Sequence, residues 1–377
     1  MKVLALGGGG FIGSHTVEKL LRDTNHTVIA YDRFDEKLQD VLHDRRLTYI
    51  HGDIRYDHDL IEHLIAEADL VIDLIAHANP SLYVSVPLDV YRLNFTENLF
   101  IADNCVKYRK RLIQFSSCEV YGKTVVPLLG KRLPDPDNPE YAVFNEDTTA
   151  MILGPVGKHR WIYSCAKQLL ERLLHAYGLE CQLNYTIIRP FNFIGPRIDF
   201  LLSEQDGNPR VFSHFVSALK DGEPMRLVNG GLQRRSYTYI DDATDCILKI
   251  IQNFGNVCDR QIFNIGSPRN EISIRDLALK MRDIYRERWW DGTSPLPDLT
   301  EVPGDIFYGE GYDDSDRRIP DVTKAGTLLQ WQPSYDLEAT IVRSMAYWFE
   351  GAGSTPSPEA ERHGARLTAR DYGLIHG

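Results

Sequence analysis

A tyrosine and a lysine four positions apart offer the most specific chemistry in this sequence. Tyr163 and Lys167 fit the pattern Y-x-x-x-K, and on a helix their side chains would share a face. A tyrosine hydroxyl has an unperturbed pKa of about 10. A lysine ammonium and a nicotinamide cation close by lower that pKa, so that tyrosinate becomes a usable base. The pair therefore predicts proton abstraction beside a bound nicotinamide.

The start of the chain indicates where such a cofactor would bind. Residues 3–6, VLAL, have the length of a short buried strand. Gly7, Gly10 and Gly13 then fit G-x-x-G-x-x-G, and residues 15–23 repeat apolar side chains on one helical face. A pyrophosphate must approach the N–H groups at a helix N-terminus, and a Cβ atom would obstruct it. The turn therefore predicts a dinucleotide site.

An acidic residue after the second predicted strand indicates which dinucleotide. Residues 27–31, TVIAY, end at Asp32, which lies 25 positions after Gly7. A carboxylate there can accept hydrogen bonds from both ribose hydroxyls of the adenosine and would repel a 2′-phosphate. NAD is therefore predicted over NADP. The alternative interpretation is an acidic helix N-cap.

Composition and charge limit the possible partners. Lys and Arg number 42 against 53 Asp and Glu, so the net charge is −11, which disfavours nucleic-acid binding driven by phosphate neutralisation. An anionic small ligand needs a local group of arginines, and Arg226, Arg234 and Arg235 supply one. No run approaches the roughly 18 apolar residues of a spanning helix. We therefore expect no nucleic-acid and no membrane partner.

Cysteine usage predicts a reduced, cytoplasmic protein without a structural metal. No two cysteines form C-x-x-C, and none has a metal-like spacing with histidine. The six cysteines are Cys105, Cys118, Cys165, Cys181, Cys246 and Cys258.

The elements that must position these residues alternate between strand and helix. Apolar strands are predicted at 3–6, 27–31, 47–50, 70–76 and 111–115, separated by amphipathic helices. This alternation predicts an α/β fold, a Rossmann doubly wound parallel sheet with a smaller C-terminal substrate-binding domain. Ligands should collect at the carboxyl ends of the strands.

The order of these motifs resembles the extended short-chain dehydrogenase/reductase family. Segments 117–122 (SCEVYG), 154–163 (GPVGKHRWIY), 189–192 (RPFN) and 308–320 (YGEGYDDSDRRIP) look like those of the UDP-glucuronate decarboxylases. The resemblance is strongest to the decarboxylase domain of the polymyxin-resistance pathway and to the plant UDP-apiose/UDP-xylose synthases. It covers about residues 1–350.

This resemblance implies NAD-dependent oxidative decarboxylation of UDP-glucuronate through a UDP-4-keto intermediate. Tyr163 would take the C4 hydroxyl proton, Lys167 would hold the nicotinamide ribose, and Ser117 would hydrogen-bond the C4 oxygen. Glu119 matches a catalytic glutamate near the departing carboxylate. Arg318 matches an arginine that protonates C5, although its high pKa makes electrostatic capture of the carboxylate or enolate an alternative role.

The resemblance also implies the residues that bind cofactor and substrate. Each arginine among them has the alternative interpretation of a solvated surface charge. Around the cofactor they are Gly7, Gly10, Phe11, Ile12, Gly13, Asp32, Asp53, Ile54, Asn94, Tyr163 and Lys167. Around the UDP-sugar they are Ala78, Tyr83, Arg160, Asn192, Arg210, Arg226, Gln233, Arg235 and Tyr312.

Two positions bear on the product. Cys118 corresponds to cysteine in the plant synthases and to serine in the polymyxin-pathway enzyme; it is either a reactive thiol or a small buried residue. Ala78 stands where the plant synthases carry a second active-site cysteine, which is implicated in the ring contraction to apiose. UDP-4-ketopentose or UDP-xylose is therefore expected, and UDP-apiose is less expected.

Other functions stay open on the sequence alone. A nucleotide-sugar 4,6-dehydratase would place an Asp-Glu pair where this chain has Cys118 and Glu119, and a 4-epimerase does not need Arg318 with Glu119. A Rossmann protein that senses NAD without turnover usually lacks the intact pair of Tyr163 and Lys167.

The predicted organisation is a cofactor domain, a substrate domain and a tail. Residues 1–190 with 237–265 form the first, 191–236 with 266–350 the second, and 351–377 the tail. The resembling family pairs the helices at 95–108 and 164–177 between subunits as a four-helix bundle. A homodimer is therefore expected.

Overall fold

A parallel β-sheet forms the centre of the computed structural model, which describes residues 1–203, 209–351 and 366–367. Small pairs of strands lie outside it. In chain order the strands are β1 Lys2–Leu6, β2 Thr27–Asp32, β3 Leu47–His51, β4 Leu70–Asp73, β5 Arg111–Phe115, β6 Val143–Phe144, β7 Tyr185–Pro190, β8 Phe193–Ile194, β9 Met225–Val228, β10 Arg234–Ser236, β11 Thr238–Tyr239, β12 Gln261–Ile265, β13 Glu271–Ser273, β14 Leu299–Val302, β15 Ile319–Pro320 and β16 Arg366–Leu367.

Helices connect the strands and cover both faces of the sheet. A π-helical turn at Arg92–Glu97 precedes the fifth helix, and short 3-10 turns lie at Cys118–Tyr121 and His159–Trp161. The helices are α1 Phe11–Asp23, α2 His58–Glu67, α3 Pro80–Ser85, α4 Pro87–Tyr91, α5 Asn98–Lys107, α6 Val126–Leu129, α7 Ile162–Glu180, α8 Val211–Asp221, α9 Ile240–Gln252, α10 Ile274–Arg288, α11 Gly304–Tyr308, α12 Thr323–Leu329 and α13 Leu337–Phe349.

The order of strands in the sheet is β12-β7-β5-β4-β1-β2-β3-β16, and every neighbouring pair is parallel. The winding reverses between β1 and β4, which opens a crevice at the carboxyl ends of these strands. The predicted doubly wound Rossmann fold is confirmed. The fourth strand is shorter than predicted, because the Asp73 carboxylate accepts a hydrogen bond from the Ile75 N–H at 2.9 Å and turns the chain.

Alternate residues of each strand enter two different cores. Val3 and Ile72 pack with helix residues such as Val17 in one buried cluster, whereas Leu4 and Val71 belong to the other. Both faces of the sheet are therefore covered, which explains why its strands read as continuous apolar runs rather than as alternating patterns.

The small strand pairs draw the C-terminal half against the carboxyl ends of the sheet. β15 pairs in parallel with β6, β14 with β9 and β11 with β8, while β10 pairs with β13 antiparallel. Because Arg318 directly precedes β15, this pairing sets it against the loop that follows β5.

Two sequence expectations concern the surface and the terminus. The helices predicted at 95–108 and 164–177 are α5, with the π-helical turn before it, and part of α7. Apart from Gly351 and β16, the tail predicted at 351–377 lies outside the described residues.

Within the described ranges, no helix is long and apolar enough to cross a membrane, and no group of three or more His, Cys, Asp or Glu side chains could hold a metal ion.

Candidate active site

The glycine-rich turn between β1 and α1 leaves almost no room for side chains. Gly7 has a φ of 81°, in the left-handed region. A Cβ atom on Gly9 would lie 1.9 Å from the Phe34 carbonyl oxygen, and one on Gly13 would lie 2.2 Å from that of Gly7. Beside Gly10 only the Gly7 oxygen is near, at 3.3 Å. The turn is therefore tightly packed at Gly9 and Gly13, but the space beside Gly10 at the N-terminus of α1 is open. Backbone N–H groups at that N-terminus suit a pyrophosphate.

The carboxylate that ends β2 is fixed beside this turn. Asp32 accepts hydrogen bonds from the backbone N–H groups of Gly9 at 2.9 Å, Arg33 at 2.7 Å and Phe34 at 3.3 Å. Burial raises the pKa of this carboxyl, and the three donors oppose the rise. The predicted partner of the adenosine ribose therefore lies next to the predicted pyrophosphate site.

The described residues enclose a large cavity beside this turn, and three other residues predicted for the cofactor do not line it. Asp53 pairs with Arg55 at 2.6 Å, and Ile54 is buried in the core. Asn94 lies in the π-helical turn, where its Nδ2 donates to the His77 carbonyl at 3.2 Å, while its buried Oδ1 has no partner among the described residues.

Tyr163, the predicted catalytic tyrosine, lies where α7 meets the turn after β5. Its hydroxyl forms a hydrogen bond with the Ser117 side chain, and its ring stacks on Tyr83 with centroids 4.5 Å apart. Tyr163, Ser117 and Tyr83 all line the cavity. The structure thus brings together the proposed base, its hydrogen-bonding partner and a predicted sugar contact.

Lys167 lies one helical turn further along α7, behind the cavity wall that Tyr163 forms. Its Nζ donates to Asn98 Oδ1 at 2.8 Å and to the Phe115 carbonyl at 3.0 Å. Burial lowers the pKa of Lys167 to about 8, and the charges of Asp73 and Glu171 oppose that fall. The sequence analysis missed Asn98, whose only signal is its position four residues after Asn94 on the same buried helical face.

Burial and the neighbouring groups act on the pKa of Tyr163 in opposite directions. Burial raises this pKa above its usual value, while the hydrogen bond with Ser117 and the charge of Arg160 lower it less. The lowering that the motif predicts also needs a nicotinamide cation beside Tyr163 and Lys167, and it stays a prediction.

Glu119 lies between two arginines. Arg318 donates from Nη1 and Nη2 to the two carboxylate oxygens at 2.6 and 2.9 Å, and Arg160 Nη2 donates to Oε1 at 3.0 Å. Burial favours the neutral acid, but the two guanidinium groups outweigh it and hold the pKa of Glu119 below its usual range. Burial likewise opposes the charge of Arg318, yet Glu119 raises its pKa overall. Both groups are therefore ionised.

A second carboxylate completes this cluster, and the sequence analysis did not single it out. Asp314 pairs with Arg235 at 2.8 Å, with Arg160 at 3.4 Å and with Arg318 at 3.8 Å. It also accepts a hydrogen bond from the Tyr312 hydroxyl at 3.0 Å. Burial raises its pKa, but the three arginines lower it below the usual value. Its only sequence signal is its position in the segment YGEGYDDSDRRIP.

The cluster keeps unused hydrogen-bond donors. Arg160 Nε and Nη1 and Arg318 Nε are buried and have no partner among the described residues. The Arg160 guanidinium also lies 5.3 Å from the centroid of the Tyr83 ring, which stacks on Tyr163. Because buried donors are normally paired, the spare nitrogens of Arg160 indicate a place for an anionic ligand beside the tyrosine.

The other predicted sugar and nucleotide contacts lie around the same space. Asn192 adopts a φ of 42° and donates to the Ser236 carbonyl at 3.1 Å. Arg210 donates to Asp199 Oδ2 at 3.2 Å and to the Ile198 carbonyl at 2.6 Å.

A cavity of about 1070 Å³ joins the turn, the tyrosine and the charged cluster. Lys167 and Arg318 lie behind its wall and bond to Phe115 and Glu119, which line it. The predicted residues that line it are Gly7, Gly10, Phe11, Ile12, Gly13, Asp32, Ala78, Tyr83, Ser117, Cys118, Glu119, Arg160, Tyr163, Asn192, Arg210, Arg226, Gln233, Arg235 and Tyr312.

The Cys118 thiol is not activated by this environment. Burial raises its pKa, and the nearby charge of Arg318, whose Nη1 lies 3.9 Å from Sγ, opposes the rise without overcoming it. A thiol with a raised pKa carries little thiolate, which favours the interpretation of Cys118 as a small buried residue.

Comparison with known proteins assigns the family. The sequence profile of the NAD dependent epimerase/dehydratase family matches residues 3–266. The chain belongs to this family. UDP-D-apiose/UDP-D-xylose synthase 1 of Arabidopsis thaliana is 41% identical over 356 residues, covering 92% of this chain and 91% of the plant protein. The rice (Oryza sativa subsp. japonica) UDP-D-apiose/UDP-D-xylose synthase is 41% identical over 357 residues, covering 92% and 89%.

A solved structure agrees with this assignment. The crystal structure of the PbgP3 protein from Burkholderia pseudomallei has a TM-score of 0.79 and 32% identity, covering 96% of this chain and 98% of that chain. In this epimerase/dehydratase family the cofactor is NAD. The residues present fit it, because a side chain on Gly10 would project into the open space at the start of α1 and Asp32 lies beside that space.

Proposed function

We propose that this protein catalyses the NAD-dependent oxidative decarboxylation of UDP-glucuronate through a UDP-4-keto intermediate. One observation carries the proposal: the buried, unpartnered nitrogens of Arg160 lie beside both Tyr163 and Glu119 on the wall of the cavity. An alcohol-oxidising site therefore adjoins a site for a carboxylate. The two plant relatives are named as UDP-sugar synthases, which supports a UDP-sugar as substrate.

The cofactor supplies the hydride acceptor for the first step when it is bound. The glycine turn would hold its pyrophosphate, Asp32 the adenosine ribose, and Tyr163 with Lys167 the nicotinamide ribose. Asp53, Ile54 and Asn94 would support this site from outside the cavity wall.

In the first step Tyr163 takes the proton of the C4 hydroxyl as the C4 hydrogen leaves with its electron pair. The hydrogen bond between Tyr163 and Ser117 lowers the pKa of the tyrosine against the effect of burial. Ser117 then donates to the C4 oxygen as that oxygen becomes a ketone.

In the second step the C5–C6 bond breaks and its electron pair moves into an enolate that ends at the C4 oxygen. C6 leaves as carbon dioxide, and C5 then gains a proton from solvent, which balances the proton that Tyr163 removed at C4. Arg160 would orient the C6 carboxylate through its spare nitrogens. Glu119 and Arg318 lie beside Arg160, and the raised pKa of Arg318 favours charge stabilisation over proton donation.

The remaining residues would bind the rest of the substrate. Tyr83, Asn192, Arg235 and Tyr312 would contact the sugar and diphosphate, and Arg210, Arg226 and Gln233 the nucleotide. Residues 1–190 with 237–265 would hold the cofactor and 191–236 with 266–350 the UDP-sugar. Ala78 lines the cavity and offers no thiol for ring contraction. The proposed product is therefore UDP-4-ketopentose, or UDP-xylose where the hydride returns from the reduced cofactor to C4.

The test is incubation with NAD and UDP-glucuronate carrying carbon-13 at C6, followed by NMR. Labelled carbon dioxide with a UDP-pentose is expected, and much less of both when NADP replaces NAD. Tyr163→Phe is the matched control, since it deletes one hydroxyl and should cost about 10²–10⁴-fold in rate. Formation of UDP-galacturonate would indicate a 4-epimerase. A 4,6-dehydratase would leave UDP-glucuronate unchanged and would instead dehydrate UDP-glucose, whose C6 carries the hydroxyl that leaves as water. Binding of NAD without any turnover would indicate a sensor.

We further propose a homodimer in the cytoplasm. Leu169 and Leu179 on α7 are 47% and 68% exposed, which suits a helical face that pairs with a second copy. All six cysteines are free, which suits a reducing compartment. Light scattering should give twice the chain mass of 43.1 kDa, and cell fractionation should recover the protein with cytoplasmic enzymes. A monomer at micromolar concentration would contradict the first proposal.

A further inference from the structure

A buried histidine on the cavity wall has a ring nitrogen without a partner. His214 on α8 is 5% exposed and lines the cavity. Its Nε2 has no hydrogen-bond partner among the described residues. Because buried polar atoms are normally paired, an unpartnered nitrogen on a cavity wall indicates a contact with a ligand. None of the roles assigned above uses this side chain.

Apart from Arg226, whose charge acts on the ring, the side chains named around His214 are apolar or aromatic. The Phe307 ring lies edge-on to the imidazole, with centroids 5.6 Å apart and an interplanar angle of 81°. Val211 and Val228 line the cavity together with His214 and Phe307. A flat, uncharged group suits such a wall, because it can stack on the apolar side chains without a charge being removed from water.

The charge state of the imidazole agrees with an uncharged ligand group. Burial and the nearby charge of Arg226 lower the pKa of His214 to about 4. The ring is therefore neutral near pH 7, with one nitrogen donating and the other accepting. A neutral ring cannot replace arginines as a partner for phosphate or carboxylate, and Arg160 and Arg235 occupy the charged part of the same cavity.

These observations assign the uncharged end of the substrate to this wall. We infer that His214 reads the uracil base of the UDP-sugar, with Nε2 hydrogen-bonded to the N3–C4 edge of the pyrimidine. This inference rests on the proposed function. A neutral imidazole can donate or accept at Nε2 according to its tautomer, so that it can pair with either atom of this edge. An apolar side chain at position 214 would leave the edge of the base unpaired.

The test is calorimetric titration of the full chain with UDP. His214→Leu should weaken UDP binding by about tenfold, because the edge of the base loses its partner. His214→Gln should keep most of the affinity for UDP, because an amide, like the neutral imidazole, can present a donor or an acceptor.

Ser213→Ala is the matched control. Ser213 precedes His214 on α8, is fully buried, and has a hydroxyl that also lacks a partner among the described residues. It does not line the cavity as the described residues define it. This variant should therefore keep the UDP affinity of the unmodified protein.

The outcomes separate this inference from the proposed function. A UDP affinity of His214→Leu equal to that of the unmodified protein would overturn the role of His214, and so would a loss in His214→Gln as large as in His214→Leu. If His214→Leu does not fold, as judged by loss of NAD binding, the same comparison with His214→Ala decides. Failure of the unmodified protein to bind UDP or to convert UDP-glucuronate would instead overturn the proposed function.

Discussion

Two buried systems of arginine and carboxylate differ in how completely their donors are used. In the first, Arg189 donates from Nε and Nη2 to Glu171 at 3.0 and 2.6 Å, and from Nη1 to the Tyr121 hydroxyl at 2.7 Å. In the second, Arg160 gives only Nη2 to carboxylates, and its Nε and Nη1 stay without partners among the described residues. The first system is closed, whereas the second still has donors for a ligand.

The comparison separates a supporting role from a binding role for similar residues. The Tyr121 hydroxyl donates a hydrogen bond to Asn264 Oδ1 at 2.8 Å, and Tyr121 lies in the 3-10 turn that also carries Glu119. The closed system therefore ties the turn of Glu119 to α7, which bears Tyr163. The open system lines the cavity. Saturated donors indicate support, and spare donors at a cavity indicate binding.

The two systems also differ in redundancy. Among the described residues, Arg189 and Glu171 pair only with each other, so that removing one leaves the other charge uncompensated. Glu119 pairs with both Arg160 and Arg318, and Asp314 also contacts both. Loss of one charge from the open system therefore leaves partners for the rest.

The largest expected effect is on the stability of the closed system. Arg189→Met should lower the free energy of unfolding by about 3–5 kcal/mol, because it leaves the buried Glu171 carboxylate unpaired. Chemical denaturation followed by circular dichroism measures this change. A loss below about 1 kcal/mol, the scale of an exposed pair, would contradict the closed arrangement.

The open system should show the opposite pattern. Arg160→Met should lower kcat/KM for UDP-glucuronate by about 100-fold, since charged hydrogen bonds to the sugar carboxylate are lost. The stability should change less than in Arg189→Met, because Glu119 keeps Arg318. Binding of UDP, which has no sugar carboxylate, serves as the control and should be retained. Unchanged kinetics would remove Arg160 from the substrate site.

The smallest effect tests the link between the closed system and the 3-10 turn that carries Glu119. Tyr121→Phe keeps the ring that stacks on Phe144 at 4.8 Å and removes only the hydroxyl. We expect a loss of about 1 kcal/mol in the free energy of unfolding and a decrease in kcat with KM little changed, since Glu119 is less firmly held. Denaturation and steady-state kinetics measure both. A change confined to KM would argue against this link.

The sequence allowed the fold and most of the cavity wall to be predicted, because these depend on local spacing. The glycine turn, Asp32 and the Tyr163–Lys167 pair follow from short motifs. The partners of Lys167 and the place of Asp314 could not be predicted, because Asn98 and Arg235 meet them only through tertiary packing. The buried setting of Tyr163 could not be predicted for a related reason, since burial of a side chain is a property of the whole fold.

The most direct test of the account follows both chemical steps in a single turnover of Glu119→Gln. This variant keeps the size of the side chain and leaves Tyr163, Ser117 and Lys167 in place. With NAD and carbon-13-labelled UDP-glucuronate, NADH absorbance should still rise, whereas release of labelled carbon dioxide should slow by about 100-fold relative to the unmodified protein. Retained NAD binding shows that the variant is folded. Carbon dioxide released at the unmodified rate would contradict the assignment of decarboxylation to the cluster of Glu119, Arg160 and Arg318.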